Sequence, residues 1–73
     1  MLFGKVKKLI EDKEKEIELN LSNNYKDSAY KAYTEYMQLI NQLKDEGKIG
    51  GKDFDKLNIK IDDYKRKFKN YIK

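Results

Sequence analysis

The chain has 73 residues, with 17 Lys+Arg against 13 Asp+Glu for a formal charge of +4, 38% hydrophobic and 41% charged residues. That is the length of one domain, at the small end of what folds unaided, and its core must be thin and regular. Cysteine and histidine are both absent, which excludes a disulfide framework, zinc sites of the Cys/His kind, haem or iron–sulfur ligation, and catalysis built on either residue.

Proline is also absent and only four glycines occur, a composition suited to long helices. In the first segment Leu2, Val6, Leu9, Ile10, Ile17 and Leu21 fall within an arc of roughly 120° at about 100° per residue, with Lys13 inside the arc and Leu19 opposite. This predicts an amphipathic helix over about 3–21. Leu-Ser-Asn-Asn at 21–24 stops it, because Ser and Asn compete for helical backbone bonds. Asn24 followed by Asp27 resembles a capping box with the shorter carboxylate, so the second helix is expected over 24–46, antiparallel to the first.

The second helix is the most apolar. Tyr25, Ala29, Ala32, Tyr33, Tyr36, Met37, Leu39, Ile40 and Leu43 recur at three- and four-residue steps, and with Tyr30 they cover an arc near 180°. A face that wide touches two neighbours, so helix 2 is expected at the centre. Gly47 then suits a left-handed helix end, and Gly50-Gly51 allow a tight reversal. A third helix over 53–72 opens on Asp53 and carries Phe54, Leu57, Ile61, Tyr64, Phe68, Tyr71 and Ile72 near a heptad seam. The fold expected is all-α, an up-down-up three-helix bundle in a single domain, 1–73.

The stretch from Leu43 to Leu57 resembles the helical hairpin of the SHOCT type, a short C-terminal domain of bacterial proteins. Gly47, Ile49, Asp53 and Phe54 stand at the family's offsets, and Gly50 replaces its usual small hydroxyl residue. The resemblance covers residues 43–57 only, and it implies an oligomerisation or docking module without catalysis.

Residue chemistry separates the function classes. The carboxylate pairs Glu14–Glu18 and Asp62–Asp63 read as solvated helix surface with ion pairing, and Ser22, Ser28 and Thr34 have no His to activate them. No enzyme, no cofactor and no metal site is expected. Basic charge is concentrated late: residues 1–23 carry 5 basic and 5 acidic groups, 24–47 carry 3 and 4, and 48–73 carry 9 and 4. Lys56, Lys60, Arg66 and Lys67 are therefore the candidate nucleic-acid contacts of an alternative reading, a small accessory protein using helix 3. Against it, 16 of the 17 basic residues are Lys. That skew, with the abundance of Ile, Asn and Tyr, is what an AT-rich genome writes, and it points to a low-GC bacterium or its phage.

Leu2, Phe3, Val6, Leu9 and Ile10 with Lys5, Lys7 and Lys8 would suit a membrane surface, but the acidic residues from Glu11 to Glu18 would repel anionic lipid. No apolar run approaches the ~18 residues of a membrane span, and a cytoplasmic location is expected. The leading reading is a non-enzymatic interaction or oligomerisation module. Its partner is a second copy or another protein, with a homodimer the expected assembly. The candidate interface is Leu19 and Ile59, outside their helices' apolar arcs, with Tyr30, Met37 and Leu39 at the margins of helix 2.

Overall fold

A computed structural model describes residues 4–69. Three helices follow one another: α1 (Gly4–Ser22), α2 (Lys26–Asp45) and α3 (Gly51–Lys67). The long axis of the molecule is 33 Å, close to the ~30 Å of a 20-residue helix. The arrangement is the all-α, up-down-up bundle expected from the periodicity. Leu2, Tyr71 and Ile72, which the periodicity places in the apolar arcs, lie outside the described residues.

Helix α2 is the centre. It buries Ala29, Ala32, Tyr33, Tyr36, Ile40 and Leu43, against Val6, Ile10, Glu14 and Ile17 from α1 and Leu57, Ile61 and Tyr64 from α3. Among the described residues no Cα of α1 comes within 8 Å of one in α3. Both outer helices lean on α2, and only side chains bridge the gap between them. Two of the apolar residues expected to face inward are in fact exposed: Leu9 at 51% and Tyr25 at 61%. Leu9 sits at the edge of the α1 arc, on the Lys13 side. Tyr25 lies ahead of α2 rather than in it.

Both turns close in the same way. At the end of α2, Lys48 N–H donates to the Leu43 carbonyl (2.9 Å) and Gly47 N–H to that of Lys44 (3.0 Å), with Gly47 at φ +73°. That is a Schellman motif, and the left-handed residue it needs is the glycine expected there. At the end of α1, Tyr25 N–H donates to the Asn20 carbonyl (2.8 Å) and Asn24 N–H to that of Leu21 (3.1 Å), with Asn24 at φ +62°. This corrects the capping box. Asn24 does not open α2; it closes α1, because asparagine tolerates the left-handed region better than other non-glycine residues. Tyr25 then serves as the N-cap of α2 without a side-chain bond. Helix α3 also starts two residues earlier than expected, with Gly50 as a side-chain-free N-cap at φ −82°, ψ 170°.

Buried Ile49 (3% exposed) anchors the second loop to the core. At the other end of the molecule Phe68 lies 5.5 Å from the Tyr30 ring and 5.3 Å from that of Tyr33. This aromatic cluster seats the last turn of α3 on the first turns of α2.

The packing can be checked at two places. Tyr36 is fully buried while Lys31 is exposed, so Tyr36→Ala should destabilise by about 3 kcal/mol or more and Lys31→Ala by almost nothing. Chemical denaturation of the two variants measures this, and equal small effects would contradict the central role of α2. In the same assay Gly47→Ala should cost roughly 1 kcal/mol. Nothing lies within 4 Å of the added methyl, so the whole cost is backbone conformation, and Gly47→Asn should recover part of it.

Candidate functional site: a polar seam between α1 and α3

Glu14 is the one charged residue buried among the described residues, at 8% exposure. Its sequence pattern reads as solvated surface, and the structure corrects that. Val6, Ile10, Ile17 and Leu21 follow core spacing on α1, and the interval between Ile10 and Ile17 has room for one further core position. Glu14, four residues after Ile10 and three before Ile17, fills it.

The buried carboxylate is matched from the two other helices. Tyr36 of α2 donates its hydroxyl to Glu14 Oε2 at 2.6 Å, and Lys60 of α3 donates Nζ to the same oxygen at 3.1 Å. One turn further along α1, Glu18 Oε2 accepts a longer bond from the Tyr64 hydroxyl, at 3.3 Å. The Tyr36 and Tyr64 rings meet edge to face, with centroids 5.7 Å apart and planes at 87°. Lys67 Nζ lies 5.6 Å over the Tyr64 ring. The space these groups frame is an open groove of about 230 Å³, lined by Glu14, Glu18, Lys60, Asp63, Tyr64 and Lys67.

Burial pushes the Tyr36 hydroxyl well above its ordinary range, and the bond to Glu14 adds to the shift. Tyr64 is pushed the same way by burial and by the nearby Glu18 and Glu14 charges. Both phenols therefore stay neutral donors through the physiological range. They hold carboxylates in place; they are not poised to lose a proton to a substrate. On the other flank of α1, Lys13 donates to Glu35 of α2 at 2.7 Å and to Glu16 at 3.2 Å. The Glu35 bond is the main reason the Lys13 ammonium is held above its usual range, and Lys13 in turn holds the Glu35 carboxyl below its own. Lys13, unexpected inside an apolar arc, is accounted for by this pair.

The five candidate interface residues do not form one patch. Leu19 and Ile59 are exposed at 63% and 64%, on the outward sides of α1 and α3. Tyr30, Met37 and Leu39 are partly buried against the core. Tyr30 and Leu39 stand roughly 180° apart on α2 at ~100° per residue: Tyr30 faces Phe68 of α3, and Leu39 lies one turn from Glu35 on the α1 flank. The candidate nucleic-acid contacts are divided as well. Lys56, Lys60 and Lys67 share one flank of α3, while Arg66 stands about 100° further round, 81% exposed and 4.0 Å from Asp63. Lys60 is already bound to Glu14, and Glu18 and Asp63 line the same groove. The basic stripe of α3 is thus interleaved with carboxylates where it faces α1. The pair Asp62 and Asp63 is exposed.

Among the described residues there is no group of three or more potential metal ligands, and no helix is long and apolar enough to cross a membrane. No family model matches the chain, and neither a curated protein nor a solved structure does.

The tyrosines make a pH prediction. Unfolded tyrosine loses its proton near pH ~10, whereas folded Tyr36, Tyr64 and Tyr33 hold theirs to higher pH. Above that point the unfolded chain binds fewer protons than the folded one, so stability falls as pH rises. The denaturation midpoint should be level from neutral pH up to the tyrosine range and drop steadily above it, while in acid it falls as the Glu35 carboxylate held low by Lys13 takes up its proton. Tyrosinate absorbance should show the buried group ionising only as the protein unfolds; simultaneous ionisation of all six tyrosines in the folded protein would contradict the seam.

Proposed function

We propose that the chain is a non-enzymatic helical interaction module that works by associating with itself. The observation that carries this reading is the set of large apolar side chains left outside the bundle: Leu9, Leu19, Tyr25 and Ile59, each more than half exposed. So many wet apolar residues weigh on a chain whose core supplies only a few kcal/mol, and a closed dimer is the commonest way to cover them. The resemblance of residues 43–57 to a short oligomerisation hairpin supports the same reading. The alternative, nucleic-acid binding through α3, draws on Lys56, Lys60 and Lys67 sharing a flank. It is the weaker of the two, because Glu14, Glu18 and Asp63 stand among those lysines.

Light scattering behind a sizing column should give the mass of two chains at high protein concentration and a falling average mass on dilution. Thermal stability should rise with concentration. A monomeric mass throughout, with stability independent of dilution, would overturn the reading. Titration with mixed-sequence DNA and RNA at two salt concentrations addresses the alternative. Salt-sensitive binding lost in Lys56→Glu and Lys67→Glu would favour it.

A further inference from the structure

One heptad phase of core positions runs from α2 to α3 through the loop between them, with only the buried Ala32 and Ile49 standing off it among the described residues from α2 onward. In α2 the seam is Tyr33, Tyr36, Ile40 and Leu43, and in α3 it is Phe54, Leu57, Ile61, Tyr64 and Phe68, all in alternating steps of three and four. Counting on from Leu43 in the same alternation gives Gly47, then Gly50, then Phe54. Two helices joined by a reversal have no need to agree in phase, yet these do, and the two seam positions inside the loop are both glycine.

A second observation concerns how α3 is held. It makes no backbone approach to α1. Its ties to the α1–α2 hairpin are side-chain contacts: Lys60 to Glu14, Tyr64 to Tyr36 and Glu18, Phe68 to Tyr30 and Tyr33. Every one of these can form equally well with an α3 supplied by another copy.

The geometry points to exchange of α3 between two copies of this chain. The loop at 46–50 straightens, α2 and α3 become one helix over 26–67 about 60 Å long, and each α3 takes the same seat on the other copy's hairpin. The seam stays continuous in coiled-coil phase along that helix. The partner chain then contributes the lysine that neutralises Glu14, so each hairpin is completed by its mate. This rests on the self-association reading for its two-chain state, but not on that reading's exposed residues, because α3 in the same seat leaves Leu19 and Ile59 as exposed as before. Opposing the exchange are the Gly47 Schellman bonds and the burial of Ile49, which belong to the closed loop alone.

Charge reversal tests it. Glu14→Lys sets two ammonium groups against each other within one chain, and Lys60→Glu sets two carboxylates against each other in the same seat. In a one-to-one mixture of the two variants each hairpin receives the helix of the opposite variant, so exchange restores the original Glu14–Lys60 pair in one seat and places the same pair with its charges reversed in the other. The expected result is that each variant alone is destabilised, while the mixture gives a dimer holding one chain of each and recovers thermal stability. A mixture that behaves as the sum of its parts overturns the exchange. Should the charge variants not fold, Gly47→Ala/Gly50→Ala decides. Alanine favours the straight helix over the left-handed turn, so the dimer association constant should rise roughly a thousandfold over four substituted sites. An unchanged constant overturns the exchange. A wild-type dimer that responds to neither test leaves self-association standing through the outward faces of Leu19 and Ile59, with exchange excluded.

Discussion

The arrangement of the bundle depends on the carboxylate of Glu14. It is buried on α1, and its partners come from α2 and α3, so a single oxygen ties all three helices. Burying a charge is costly unless it is paired and hydrogen-bonded. Tyr36 and Lys60 must therefore be where they are whenever the bundle is closed. Such a network adds little net stability over a well-packed apolar core of the same shape. What it adds is a choice between arrangements. Placing α3 on the opposite side of the α1–α2 hairpin would leave Glu14 without its lysine, so the polar seam favours the hand observed over its alternative.

The same seam accounts for the uneven packing. Lys60 spans the gap from α3 with a side chain that remains 56% exposed, and Tyr64 reaches Glu18 across 3.3 Å. Long side chains such as these hold two helices apart where small apolar residues would draw them together. The outer helices consequently share no close backbone contact, and a groove opens between them. The tyrosines suit this thin, wet-edged core. Tyr36 and Tyr64 bury their rings against each other and turn their hydroxyls to the carboxylates at the seam.

Much of the fold was legible in the sequence because it rests on periodicity. The three helices, the central place of α2 and the left-handed Gly47 all follow from the spacing of apolar residues and from glycine's conformational freedom. Polar residues in unusual roles were harder to read. Asn24 carries the same side chain whether it caps a helix start or closes a helix end, and only the backbone bonds of Tyr25 and Asn24 decide between them. Glu14 left a signal in the gap between Ile10 and Ile17. A carboxylate at that spacing is ordinarily surface, however, and its burial depends on Tyr36 and Lys60, which are 22 and 46 residues away. The candidate interface residues are spread over the bundle for a related reason. Tyr30, Met37 and Leu39 lie at both margins of a helix with neighbours on two sides, and those neighbours use them.

The balance between closed and exchanged forms is set by the loop, since every contact outside it is common to both. Joined in one chain, α3 meets its own hairpin at an effective concentration on the order of millimolar for a short connection. The closed monomer is thus favoured at ordinary concentrations even without any preference in the loop. Ile49 and the Schellman bonds deepen that preference. Gly47 and Gly50 act in both directions: they permit the reversal, and in a straight helix each would cost about 1 kcal/mol relative to alanine. Placing glycine at the two seam positions inside the loop therefore keeps the long helix in register while holding it uphill. A side chain at either position would pack in the exchanged form and be strained or solvated in the closed one. The glycines make the exchanged state a minor one that rising concentration, or a single substitution at the hinge, brings within reach.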